Sequence, residues 1–72
     1  MNLNDLNVRE RIAYVLLHNK QETITIDEIS NKALTIPRVV NGIMKDFNDI
    51  VLYKDRKIII LDEKELKRIT TL

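Results

Sequence analysis

The chain contains no cysteine and only one histidine, one glycine and one proline among its 72 residues. Without cysteine there is neither disulfide stapling nor a thiolate metal site, and His18 alone leaves no imidazole pair for a metal. No apolar run approaches the roughly 18 residues a membrane-spanning helix needs. The opening Met1-Asn-Leu-Asn-Asp lacks the basic and apolar regions of a signal peptide. A cytoplasmic location is expected, with no membrane partner. Charge of one sign is also scarce, because 12 Lys and Arg against 11 Asp and Glu leave a net charge of +1. Attraction to phosphate then depends on how the basic groups cluster rather than on their sum. Repeats, low-complexity stretches and linkers are absent too, and the proline and glycine fall five positions apart, at 37 and 42.

What remains is 44% hydrophobic and 32% charged, the composition of one globular domain spanning 1–72. A chain this short buries only about 60% of its unfolded surface, so its stability must come from packing around one core. Asn7 and Glu10 form a capping box, and Val8, Ile12, Val15 and Leu16 recur at helical spacing, predicting a first helix over about 7–18. Arg9, Glu10 and Arg11 belong to its polar face. His18 near its carboxyl end fits an exposed or capping role rather than catalysis, since no nucleophile or orienting acid is nearby. Thr23-Ile24-Thr25-Ile26 predicts a very short strand running into a second capping box, Thr25 with Glu28.

A second helix follows over about 26–32, with Ile26, Ile29 and Ala33 inward, and Thr35 is the expected cap of the next. Ile36, Val40, Ile43, Met44 and Phe47 predict a third helix over about 36–48, with Pro37 in its first turn, where its missing N–H costs nothing. Its other face carries Arg38, Val39, Asn41, Gly42, Lys45 and Asp46. Gly42 in a helix interior costs about 1 kcal/mol relative to alanine, and close packing or drift explains such a residue more readily than function. Ile50–Tyr53 and Lys57–Leu61 are strand-like, separated by Lys54-Asp55-Arg56. Asp62, with Glu65 as its reciprocal partner, caps a last helical turn containing Leu66 and Ile69.

This order predicts an α+β, mainly helical winged helix-turn-helix: a three-helix core, a β-hairpin wing and a short final helix. A generic α+β miniprotein is the less particular alternative. Arg56-Lys57-Ile58-Ile59-Ile60-Leu61-Asp62 through Ile69 resembles the last wing strand and final helix of Crp/Fnr-type bacterial transcription regulators, and Val8–Leu17 resembles the helix that opens their DNA-binding domain. The resemblance implies a carboxyl-terminal DNA-binding output domain. It further implies a homodimer in the intact regulator, and a chain that is either a fragment lacking an upstream sensor domain, the preferred reading, or free-standing. It departs at the helix that reads DNA: where the family has Ser/Thr-Arg-Glu-Thr-Val-Ser-Arg, Ile36 to Gly42 stand here. Pro37, Arg38 and Gly42 thus occupy the family's reading positions, and its Arg-to-guanine contacts cannot be made in its way.

Arg38, Asn41 and Lys45 can still bond base edges or phosphate, with the hydroxyl of Thr35 and the free N–H groups at the helix start beside them. Lys54, Arg56 and Lys57 form a compact basic tip on the wing. Double-stranded DNA is therefore the expected partner, with no cofactor and no small-molecule ligand in this domain. The alternative is a winged-helix protein-interaction or dimerisation module without sequence-specific DNA binding, suggested by apolar Val39 on the otherwise polar face. Enzymatic activity is not expected, since the carboxylates sit on caps and charged faces with no base or nucleophile beside them.

Overall fold

The computed structural model of the chain describes residues 6–70; positions 1–5 and 71–72, included in the domain expected over 1–72, lie outside the described residues. Six elements follow one another: α1 (Val8–His18), α2 (Ile26–Lys32), α3 (Pro37–Asp46), β1 (Val51–Lys54), β2 (Lys57–Ile60) and α4 (Glu63–Thr70). This is the winged helix-turn-helix arrangement, with α1 to α3 as the core, the hairpin as the wing and α4 closing against α1.

Both amino-terminal caps form as the sequence dictates. The Asn7 side chain accepts from the Glu10 amide at 2.8 Å and the Glu10 carboxylate returns the bond to the Asn7 amide at 2.9 Å. Thr25 and Glu28 repeat the exchange at the start of α2. Because Thr25 is spent on that cap, the strand expected over 23–26 shrinks to a single bridge, Thr23 to Lys57.

The third helix corrects the sequence reading. Pro37 keeps the residue before it out of helical conformation, and Ile36 is extended, at φ −119° and ψ 157°. The helix therefore starts at Pro37 and its cap position falls on Ile36, which has no side-chain acceptor, instead of on Thr35. The Thr35 amide instead donates to the Ser30 carbonyl at 2.9 Å. At the other end α3 stops at Asp46 rather than 48, because the Ile50 and Val51 amides fold back onto the Phe47 carbonyl, both at 2.8 Å. Asp62 caps α4 through the Glu65 amide at 3.1 Å, but the Glu65 carboxylate turns to Arg68, so the expected box is only half made. The helix it starts runs eight residues, longer than the single turn expected.

Ile12, Leu16, Ile29, Val40, Phe47, Ile58 and Leu66 fill the centre, one or more from every helix and one from the wing. Burying each such side chain contributes roughly 1.5–3 kcal/mol. The wing is an antiparallel pair in which Val51 faces Ile60 and Tyr53 faces Ile58 on the inner side. Leu52 and Ile59 face one another outward, each 44% exposed. Its turn has two residues rather than three: Asp55 and Arg56 are both left-handed, at φ 54° and 63°, and Lys54 pairs with Lys57 across the strands. Such a primed turn matches the twist of the strands it joins.

Candidate nucleic-acid interface

At 100° per residue, Val40, Ile43, Met44 and Phe47 place one face of α3 on the core, and Arg38, Asn41, Gly42 and Lys45 fall within about 100° of arc on the opposite face. All four of the latter are exposed. Val39 is not on that face: it is half-buried and packs against the core, which removes the feature that suggested a protein-binding α3. For Gly42 one of the two expected explanations falls away. A Cβ built on it meets nothing within 4 Å, so no close packing requires a glycine there.

The cations divide by commitment. Arg9 reaches Asp46 at 3.7 Å and lies over the Phe47 ring, 4.7 Å from its centre. Lys20 and Lys67 hold Glu63, and Arg68 holds Glu65. Arg11 donates to two backbone carbonyls. Lys32 and Lys64 apart, the cations held neither in an ion pair nor on a carbonyl among the described residues are Arg38, Lys45, Lys54, Arg56 and Lys57, and all five are exposed. The pairing of Arg9 also offsets the negative charge of Asp46 beside the outer face of α3.

Asn41 and Lys45 line an open groove together with Ile26, Met44, Asn48, Val51, Leu52 and Tyr53, so the structure brings the outer face of α3 and the first wing strand to one depression. Asn48 and the strand residues escaped the sequence reading. Asn48 lies in the turn after α3, three positions beyond Lys45, and only the fold brings that turn to the groove. Lys54 and Lys57 meet across the strands with Arg56 between them at the turn. That tip is anchored at Ile24, whose amide donates to the Arg56 carbonyl at 2.7 Å and whose carbonyl accepts from the Tyr53 hydroxyl. Burial raises the Tyr53 phenol above its ordinary value, opposed by the nearby Arg56 charge and reinforced by Glu28.

The start of α3 offers less than expected. Pro37 has no N–H, and those of Val39 and Val40 are committed to the Ile36 carbonyl at 3.1 and 3.2 Å. Thr35 is half-buried in the turn and does not cap the helix. Arg38 remains the exposed cation at that end. His18 is exposed and its ring lies 4.2 Å from that of Tyr14. No cluster of three or more His, Cys, Asp or Glu that could hold a metal occurs among the described residues, and no helix there is long and apolar enough to cross a membrane. Comparison with protein-family models, curated proteins and solved structures finds no match to this chain.

Proposed function

We propose that this winged helix binds double-stranded DNA, with α3 in the major groove and the hairpin tip on the adjacent backbone. The observation that carries the reading is the division of the cations: those elsewhere on the chain are mostly held in ion pairs or on carbonyls, whereas Arg38, Lys45, Lys54, Arg56 and Lys57 are exposed and unpaired. An α-helix fits the major groove, and Arg38 and Asn41 carry the groups that bond guanine and adenine edges. Lys45 and the tip supply sequence-independent phosphate contacts. Thr35 adds at most a hydroxyl beside the helix start. On the Crp/Fnr likeness the chain is the output domain of a bacterial regulator, cytoplasmic, and paired as a homodimer that places two copies of α3 one helical turn of DNA apart.

The test is fluorescence anisotropy on a labelled duplex of about 20 base pairs at low salt, with the chain alone and joined to a dimerising coiled coil. Binding should weaken steeply as salt rises, and each removed phosphate contact should reduce the salt slope by about 1. Absence of binding in both forms at low salt would sink the reading.

A protein-interaction or dimerisation module is the second reading. Its support is no longer Val39 but the outward Leu52–Ile59 pair with Leu61, which is 55% exposed. Light scattering decides it: concentration-dependent dimers abolished by Leu52→Lys would favour it.

A further inference from the structure

We infer that Gly42 is the point at which α3 approaches the DNA most closely, a gap in the side-chain layer that lets Asn41 reach an adenine edge. This rests on the DNA-binding reading and adds to it a specificity-determining position. A glycine inside a helix is disfavoured because the unfolded chain loses more freedom there and no side chain covers the backbone. Drift aside, three reasons could still retain one, and two are absent. Its φ is not positive. Nothing lies within 4 Å of an added Cβ, so no neighbour demands the space. The third reason is a partner outside the chain, and the surroundings fit one.

Arg38 lies one helical turn before Gly42, Asn41 beside it and Lys45 three positions after it, all exposed and none engaged in an ion pair. Asn41 and Lys45 also open toward the wing strand through the groove they line. Asparagine has a short side chain, and its bidentate contact with adenine N6 and N7 needs the helix backbone near the base edges. A helix with full side chains at every outward position is held further off. Bare backbone at position 42 allows the nearer approach, while the longer Arg38 and Lys45 side chains still reach guanine edges or phosphate from the same depth.

The experiment separates this from a purely structural role. Gly42→Ala and Gly42→Leu have nearly equal helix propensity, and both should raise the unfolding midpoint by several degrees, about 4–8 °C if the helix gains fully. Anisotropy titrations on a pool of duplexes of about 20 base pairs, enriched from randomised sequence by the wild-type chain, should then show affinity falling about tenfold for Gly42→Ala and further for Gly42→Leu. Sites enriched by the wild type should share an A·T pair that Asn41→Ala no longer selects. Variants that bind the enriched pool as tightly as the wild type would overturn the inference while leaving DNA binding intact. A wild-type chain that binds duplex at low salt but enriches no sequence would overturn the inference alone, and one that binds no duplex either free or joined to the coiled coil would remove both.

Discussion

The Arg11 guanidinium of α1 donates through Nε to the Ala33 carbonyl at 2.8 Å, crossing 22 positions to the carboxyl end of α2. The same side chain reaches the Leu6 carbonyl through Nη1 at 2.6 Å. The last carbonyls of a helix have no intrahelical partner and carry a partial negative charge, so a cation there satisfies both a hydrogen bond and the dipole. Arg11 is thus a fastener between the first two helices rather than one more charge on a solvated face. Arg11→Ala should cost about 1.5–3 kcal/mol, the range for a hydrogen bond to a charged group. Arg11→Lys should recover only part of it, because one ammonium cannot reproduce the planar fork. Urea denaturation measures both. A loss under about 0.5 kcal/mol for Arg11→Ala would show that the bond is not stabilising. DNA affinity should be unchanged for the folded fraction.

Arg11 also shows where the sequence stops being legible. The capping boxes of α1 and α2 could be seen in advance because each links residues three positions apart, and so could the alternation that makes the hairpin. The Arg11 contact joins residues far apart in the chain, and no local pattern announces it. The side Val39 takes is not legible, because it sits about 100° from the centre of the outer arc, where a side chain falls to either side according to what packs beside it. At Thr35 two local rules conflict: a threonine before an apolar run suggests a cap, but the bar on a helical residue before Pro37 wins. The basic face itself was legible residue by residue. What the sequence could not give was which cations have partners, since Arg9 with Asp46 and Lys20 with Glu63 are pairs made by folding.

The turn between α2 and α3 holds a leucine where a left-handed residue is needed. Leu34 has φ 60° and is 56% exposed, so it suffers the left-handed penalty with little compensating burial. Leu34→Gly should stabilise the fold by about 1 kcal/mol, since glycine adopts that conformation freely. Thermal unfolding followed by circular dichroism would register this as a higher midpoint. A lower one would mean that the leucine side chain contributes packing greater than the strain it carries.

Two exposed carboxylates predict how stability responds to acid. The hydrogen bond from Lys20 holds Glu63 below the ordinary carboxylate value, with the charge of Lys20 and then of Lys67 acting in the same direction. Arg68 does the same for Glu65, first through its hydrogen bond. A carboxylate depressed in the folded state lends stability that is present above its unfolded value, about 4.3, and is lost as pH falls through its folded value. Stability should therefore begin to decline near pH 4 and continue falling below it. Since both sites are open to solvent, added salt should blunt the decline. Glu63→Gln with Glu65→Gln should flatten the midpoint between pH 5 and 3, and a double variant as acid-sensitive as the wild type would assign the sensitivity to other groups.

Tyr53 makes the opposite statement at alkaline pH. Its phenol is raised chiefly by burial, so stability tied to it is fully present below the ordinary value of about 10 and is lost as pH rises through the higher folded value. Tyr53→Phe should remove that alkaline dependence and, by deleting the bond to the Ile24 carbonyl, loosen the wing tip at neutral pH. Amide hydrogen exchange at Ile24, which donates to Arg56, is the sensitive readout. Unchanged protection there would place the anchoring of the tip in the backbone alone.

Arg56 separates stability from binding within one residue. It sits at φ 63° in a turn whose two central positions are both left-handed, a geometry that glycine adopts without strain. Arg56→Gly should therefore raise stability by about 1 kcal/mol while preserving the Lys54–Lys57 pairing. It also deletes a cation from the tip proposed to meet the DNA backbone. If that tip contacts phosphate, the variant should bind more weakly to every duplex alike, with a salt slope smaller by about 1. Arg56→Lys retains the charge and most of the strain, so it should behave as the reverse: no gain in midpoint and little loss of affinity. A glycine variant that is more stable and binds with an unchanged salt slope would show that the wing stands clear of the DNA and leave α3 to carry the contact alone.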